Sequence, residues 1–462
     1  MEFDAPTFAT SVLSHDLSKP IVATAALAPG QVIFAEVASI VSAGGYSDDE
    51  SHEPDCDDDD CGGCCEVDNE HDGTQLDADD LAAVSPYVAE HYDALGATCD
   101  SLAALTSVDK RKTLFKLLHM AANDVSSPLI TSLLALDVSA NHHLSASMDA
   151  AKALRASHAG LIPSVLSDDQ VAHVIAVLNK HSIPLEEVDA VGLFVVVPKL
   201  KHSCEPNAAY TDSGDAIYVT AIRPIAVGDA ITVDFFDSFY MTVADRAQVF
   251  QEEGEPPCGC SVCNGTAPDK SRSFRCQVAG CDGIVHPTNA VFECTKCHAT
   301  WTDATIAAAE AEEKALTSDL DNTENFGQLD AILKSSKLHL YHHIFYTVMQ
   351  VLSEENVVDI SDDVALSILT RQIDALNYVV PFAHSEKVSL YDSIAQAHIA
   401  LGDIAKAADA YACALAVCHV VFGSDSKTTQ LFATLASNTP KSVDEIPAAY
   451  GLEWIDDPHD FA

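Results

Sequence analysis

Fifteen cysteines occur in this 462-residue chain, and most of them stand where thiols could share a metal. The stretch "PPCGCSVCNG" supplies Cys258, Cys260 and Cys263, spaced C-x-C-x2-C. Three thiolates this close suit a tetrahedral ion such as zinc, because a tight knuckle turns all three sulfurs toward one point. One ligand is then missing. Cys204, in "KLKHSCEPNAAY" at 199–210, can supply it and would staple a strand end to this later loop.

Further on, "RCQVAGCDGIVHPTNAVFECTKCHATW" provides Cys276-x4-Cys281 and Cys294-x2-Cys297. Two knuckles separated by about a dozen residues make a zinc ribbon, a closed structural site. His286 and His298 are alternative ligands, but four thiolates are the simpler set. A third group, Cys56, Cys61, Cys64 and Cys65 with His52 and His71, fits no standard finger spacing. It lies in an acidic low-complexity stretch that reads as a loop or disordered insert. Disulfides are the less favoured reading throughout, since close pairs in a reducing compartment favour metal.

The totals narrow the classes. Seventy acidic against 24 basic side chains give a formal charge of −46. Such a surface repels a phosphate backbone and attracts basic or lysine-rich protein segments, so the expected partner is protein rather than nucleic acid. The start "MEFDAPTFATSVLSHD" has no apolar signal core, and no apolar run approaches a membrane span. A cytoplasmic monomer is expected, with nuclear residence open and no membrane partner. At this length several domains are expected.

The positioning elements follow from periodicity. "IVATAALAPGQVIFAEVASIVSA" alternates around Pro29-Gly30 and reads as a hairpin. Residues 76–178 show helical spacing, with Ser167-Asp168-Asp169 as a capping cluster before "QVAHVIAVLNKH". Strand character returns at 191–197 and in "AIYVTAIRPIAVGDAITVDFF", where Gly228-Asp229 marks a turn. Residues 241–302 read as short, turn-rich and cysteine-dense. From 303 to 440 the chain is helical. There Ile394, Ala395 and His398, a Gly402-Asp403 turn, then Ala407, Tyr411 and Ala414 resemble one tetratricopeptide unit. An ordinary helical hairpin is the alternative. Residues 441–462 read as an irregular acidic tail.

Taken in order, these segments resemble the SET-domain lysine methyltransferases of SMYD type. "KHSCEPN" resembles the family's Asn-His-Ser-Cys-x-Pro-Asn, and "VGDAITVDFF" resembles its Gly-Glu-x-Leu-Thr-x-x-Tyr. "ATAALAPGQVIFAE" resembles the amino-terminal hairpin, and C-x-C-x2-C the post-SET segment. The resemblance implies an α+β fold. Its parts would be a SET β-fold in two segments (1–45 and 179–240), an acidic insert at 46–75 and a helical insert at 76–178. Post-SET zinc segments at 241–302 and a helical domain at 303–440 would follow. It also implies a threaded pseudoknot through 199–210, a rare exception to unthreaded chains. Cys204 would be a zinc ligand, Asn207 a structural hydrogen-bonding residue, and His202 would offer its backbone to the adenine of S-adenosylmethionine. Asn179 matches the family's helix-end asparagine that binds the methyl donor.

The departures converge on the same pocket. Lys201 stands where the family has the motif's first Asn, bringing positive charge toward a cationic sulfonium. Ser18-Lys19-Pro20 replaces Gly-x-Gly, and Pro256 replaces an aromatic that stacks on adenine. Phe235 occupies the position of the catalytic tyrosine, keeping its shape without its oxygen. Tyr240, five residues on, is a weak candidate to replace that hydroxyl. Two readings follow from this: an S-adenosylmethionine-dependent protein-lysine methyltransferase with weakened chemistry, or an inactive SET scaffold that holds protein partners through its helical domain. A metal-storing protein is disfavoured, because both strong cysteine sites look closed.

Overall fold

The computed structural model describes residues 21–43, 85–138, 144–320, 326–355 and 361–451. The Ser18-Lys19-Pro20 segment and the acidic stretch bearing His52, Cys56, Cys61, Cys64, Cys65 and His71 lie outside the described residues.

Short strands β1 (Val32–Val37), β2 (Ile40–Ala43), β3 (Ser182–Leu185), β4 (Ala190–Leu193), β5 (Lys201–His202), β6 (Ala208–Ser213), β7 (Ala216–Ala221) and β8 (Thr232–Val233) build the first layer. They form sheets ordered β1-β7-β6 and β2-β4-β3, and a parallel pair β5-β8. The expected 21–43 hairpin does not form. Pro29 and Gly30 do turn the chain, with Gly30 at φ +83°, but the flanking segments do not pair with each other. Val22 bridges Ala230, Leu27 bridges Ile225, and β1 pairs antiparallel with β7. Alternation marks a strand but cannot say which strand it will meet. The same holds at Gly228, whose flanks also find partners elsewhere in the domain.

Between β2 and β3 sit helices α1 (Pro86–Asp100), α2 (Val108–Asn123), α3 (Pro128–Leu134), α4 (Leu144–Ser157) and α5 (Asp168–His181). Helix α5 begins as its sequence indicates. Ser167 Oγ accepts from the Gln170 N–H, and Gln170 Oε1 accepts from the Ser167 N–H, a closed capping box. Its apolar face, Val171 through Leu178, fills a core shared with α1–α4, Ile40 and Leu193. Lys116 Nζ donates to the Val41 carbonyl at 2.9 Å, tying this helical insert to the sheet.

After β8 the segment expected to be turn-rich contains a ten-residue helix, α6 (Val243–Glu252). Its "TVAD" start is a capping box, in which Thr242 and Asp245 exchange bonds. The ribbon follows: β9 (Phe274–Arg275), β10 (Ile284–Thr288) and β11 (Val291–Cys294) form one small sheet. It does not stand alone. Phe274, Val285 and Phe292 share a core with Ala309, Leu338 and Phe345 of the following helical region. The division expected at 302/303 therefore runs through a common core.

Helices α7 (Asp303–Leu320), α8 (Phe326–Ser335), α9 (His343–Glu355), α10 (Asp362–Val379), α11 (Ser385–Ala400), α12 (Ile404–Val421) and α13 (Lys427–Ser437) complete the chain's second half. Ala395, Ala407 and Ala414 are buried where α11 and α12 approach each other, and Gly402 takes φ +75° in the turn between them. By length and composition α12 could cross a membrane, but it packs between α11 and α13, with Tyr411 and Cys418 buried. The tail expected to be irregular is helical in part of its described residues. Short helix α14 (Ile446–Ala449) precedes Tyr450, whose hydroxyl donates to Asp392 and so pins the segment to α11.

Candidate functional site

Residues 229–233 run between two partners. On one edge they bond Ile21–Ala23, with Ile231 N–H to the Ile21 carbonyl at 3.0 Å and Ala23 N–H to the Asp229 carbonyl at 2.9 Å. On the other edge β5 pairs in parallel, Lys201 with Thr232 and His202 with Val233. Asn207 then closes the arrangement. Its side-chain amide donates to the Ala230 carbonyl and accepts from the Thr232 N–H, both at 2.8 Å. An amide that imitates a peptide group is what a short, irregular strand needs to keep its polar groups satisfied.

Glu36 holds the approach to this segment. Its carboxylate, only 2% exposed, accepts from the N–H groups of Val195, Val196 and Val197 at 2.7–3.1 Å. Burial pushes the Glu36 carboxyl up, and these three donors pull it back. The 191–197 run, expected to be strand throughout, leaves the sheet after Leu193 because its next amides are taken by this carboxylate.

Cys204 follows directly. Its sulfur, with those of Cys258, Cys260 and Cys263, forms a group whose atoms all lie within 4.8 Å of one another. The Cys204 and Cys263 sulfurs are 3.7 Å apart. A tetrahedron with metal–sulfur bonds of about 2.3 Å has edges of about 3.8 Å, so the set fits zinc. The Cys260 N–H points at Cys258 Sγ and the Cys263 N–H at Cys260 Sγ, each at 3.4 Å. Such amide donors stabilise thiolates. Glu205 clamps the knuckle from the other side, accepting from the Ser261 N–H and hydroxyl. Arg246, 5% exposed, lies against the same thiols and brings them a buried positive charge.

The ribbon group fits equally well. Cys276, Cys281, Cys294 and Cys297 converge, with sulfur pairs at 3.7 and 3.8 Å. His286 is not part of it. The imidazole is buried and its Nε2 lies 2.7 Å from the Tyr378 hydroxyl. His298 instead faces Glu293 at 3.0 Å. Both clusters can hold zinc, and in both the four thiols complete the coordination shell.

A third group of potential ligands, Glu313, His342 and His343, was not evident in the sequence. Its chemistry is that of an ion-paired hub. Arg272 grips both oxygens of Glu313, and His342 Nε2 lies 3.1 Å from Oε1. His342 Nδ1 already accepts from the Ile344 N–H, which leaves the proton on Nε2, where a metal would need a lone pair. Burial would raise the Glu313 carboxyl, but its bonds to His342, His343 and Arg272 hold it well below the usual range.

The remaining predicted positions separate. His202 Nδ1 accepts from the Phe235 N–H at 3.3 Å, so Nε2 carries the proton and faces Cys204 Sγ at 3.4 Å. Its imidazole therefore links the two motifs, while the parallel ladder turns its main-chain groups to the edge of β5 away from β8. Lys201 is exposed. Asn179, near the end of α5, donates to the Ala104 carbonyl at 2.9 Å. Phe235 packs on the sheet core beside Tyr210, with ring centroids 5.7 Å apart. Tyr240 turns away into the helical region. Its hydroxyl donates to the Tyr341 carbonyl at 3.1 Å and its ring stacks on Tyr346.

Comparison with known proteins agrees with this architecture. The SET domain family model matches residues 20–236. Histone-lysine N-methyltransferase ASHR1 of Arabidopsis thaliana is 29% identical over 153 residues, 31% of this chain and 30% of that protein. Histone-lysine N-methyltransferase SMYD3 of Homo sapiens is 32% identical over 79 residues, 17% of this chain and 18% of that protein. A SET and MYND domain-containing protein of Dictyostelium discoideum is 29% identical over 87 residues, 18% of this chain and 25% of that protein. The matches thus span less than a third of these relatives' length. Family model, relatives and motif geometry agree on a SET domain over residues 20–236, and the relatives that the chain resembles include SMYD-type proteins.

Proposed function

We propose that this protein binds S-adenosylmethionine and a basic protein segment, and that it is a lysine methyltransferase whose transfer step is weakened at Phe235. The observation that carries the reading is the juxtaposition of β5, Cys204 and Phe235. His202 reaches both the cysteine cluster and the Phe235 amide, so the cofactor motif and the transfer motif are one connected unit. Zinc at the Cys204 cluster would hold that unit closed, leaving its shape independent of the lost hydroxyl.

Charge supports the basic partner. A cleft of about 530 Å³ between α6 and α9 is lined by Asp237, Asp245, Glu252 and Glu386, with Phe239 and Tyr346. Carboxylates over aromatic rings suit a lysine or arginine side chain. With a net charge of −46, the whole chain favours such an encounter.

For the chemistry, the methyl donor supplies an electrophilic methyl on sulfur. The protein must aim a neutral amine at it and exclude water. Phe235 retains the wall of the channel but offers no oxygen. By analogy with deleted oxyanion-hole donors, such a loss costs about 10²–10³ in rate. A scaffold without transfer is the second reading, favoured by the positive charge at Lys201. Calorimetric titration of zinc-replete protein with S-adenosylmethionine and S-adenosylhomocysteine decides between them. Saturable binding supports the first reading, and absence of heat at millimolar ligand leaves only the scaffold.

A further inference from the structure

The two cysteine clusters differ in what surrounds them. In the first, Cys204 is 2% exposed, the other three thiols are half-buried, and the buried Arg246 guanidinium lies against the sulfurs. The ribbon set is split instead. Cys294 is fully buried, Cys276 is half-buried and Cys297 is exposed. The sulfurs of Cys276 and Cys297 are neighbours, 3.7 Å apart. We propose that Cys276 and Cys297 are an oxidant-sensing pair: a hydroperoxide joins them as a disulfide, the ribbon gives up its metal, and α9 loosens beside the acidic cleft. Its consequence for a partner rests on the reading of that cleft as the site for a basic segment.

Position selects this pair. Cys294 is held in place, because its sulfur accepts from the Lys296 N–H at 3.4 Å and Gly283 packs against it. A Cβ at Gly283 would come within 2.5 Å of that sulfur. Cys281 receives the Gly283 N–H, also at 3.4 Å. The outer pair meets solvent at Cys297. Zinc, when bound, keeps all four sulfurs as thiolates, and an exposed thiolate is open to an oxidant. In the first cluster the guanidinium stabilises the thiolates, and their nucleophilicity falls accordingly.

Cys297 Sγ attacks one peroxide oxygen, the O–O bond breaks, and hydroxide leaves with its electron pair, giving a sulfenic acid. Cys276 Sγ then attacks the Cys297 sulfur and displaces a second hydroxide as the S–S bond forms. The two thiolates lose two electrons and the peroxide gains them. The two thiols that remain no longer close a tetrahedron. From there the change has a path to the cleft. Phe274, Val285, Phe292 and Cys294 share one core with Phe345 and Met349 of α9. The same helix lines the acidic cleft with Tyr346, Thr347 and Gln350. Three short strands depend on their metal to stay folded, so its loss unpacks one side of α9.

The test titrates full-length, zinc-loaded protein with hydrogen peroxide. A chromogenic chelator reads released metal, peptide mass spectrometry maps disulfides, and hydrogen–deuterium exchange follows α9. The proposal expects release of one of the two zinc ions, a Cys276–Cys297 disulfide, faster exchange in α9, and reversal by a thiol reductant with added zinc. Cys297→His keeps a fourth ligand but no disulfide partner, and is expected to slow peroxide-driven release about 10-fold or more. Equal release from both clusters overturns the proposal, as does a Cys297→His variant that releases zinc as fast as wild type. A disulfide without faster exchange in α9 overturns the link to the cleft. Failure of the reduced protein to bind an oligolysine peptide overturns the cleft reading and leaves the oxidation site standing.

Discussion

Both carboxylate oxygens of Glu36 accept from the main-chain N–H of Val196, at 3.0 and 3.1 Å. The neighbouring amides of Val195 and Val197 complete the cradle. One buried side chain on β1 thereby fixes the loop that delivers His202 and Cys204, on a segment more distant in sequence than any local signal could join. Deleting it would strand three buried donors. Glu36→Ala is expected to cost about 3 kcal/mol or more of stability. Glu36→Gln is expected to cost nearly as much, because its NH₂ group would face an N–H. Urea denaturation followed by tryptophan fluorescence and circular dichroism measures both, and a Gln variant as stable as wild type would refute the three-donor account.

The two metal clusters predict separable losses. Purified protein is expected to carry zinc at both cysteine groups. Cys204→Ala should release the metal held with Cys258, Cys260 and Cys263, and Cys297→Ala the ribbon metal. Arg246 adds a second prediction, since it is the buried cation against the first cluster. Arg246→Met is expected to weaken zinc retention there by about 10–100-fold and leave the ribbon unaffected. Competition with a chromogenic chelator, with zinc counted by mass spectrometry, reads each site. Equal loss from both sites in Arg246→Met would show general unfolding instead.

How much of this was legible in the sequence depended on the range of the signal. Both thiol groups were readable because C-x-C-x2-C and C-x2-C encode their own geometry. Helix α5 was readable because Ser167 and Gln170 form a local cap. Strand pairing was not, since Pro29-Gly30 specifies a turn but not that β1 will meet β7 on the far side of a helical insert. Helix α6 had its Thr242–Asp245 box in plain view, masked by the surrounding cysteines. The Glu36 cradle and the Tyr210–Phe235 pair are contacts across the fold, and no spacing rule reports them.

Tyr240 predicts how the SET half is fastened to the helices. Its ring stacks on Tyr346 with centroids 3.9 Å apart, and its hydroxyl reaches the Tyr341 carbonyl. Burial, with Tyr346 and Tyr341 nearby, pushes its phenol well above the ordinary range, so it is a neutral donor at any working pH. Tyr240→Phe should cost about 1 kcal/mol, the value of one net hydrogen bond. Tyr240→Ala should cost several times that and loosen the acidic cleft it lines. Limited proteolysis between 252 and 343, compared across the series, checks the second effect. Unchanged protection in Tyr240→Ala would place the fastening elsewhere.

Buried imidazoles set the acid limit of the fold. Burial lowers His286, His342 and His384 to about 4. In the unfolded chain these groups titrate near 6.5. The unfolded state therefore binds more protons between these values, so stability is full above about pH 6.5 and is lost as pH falls toward about 4. Each fully buried imidazole contributes on the order of 1 kcal/mol by about pH 5. Carboxyls raised by burial, such as Glu36, act in the opposite sense. The informative comparison is thus between wild type and His286→Gln, by urea midpoint from about pH 7.5 to about pH 5.5 with zinc monitored. The variant should show a shallower loss on acidification. A slope equal to that of wild type would mean that His286 titrates alike in both states.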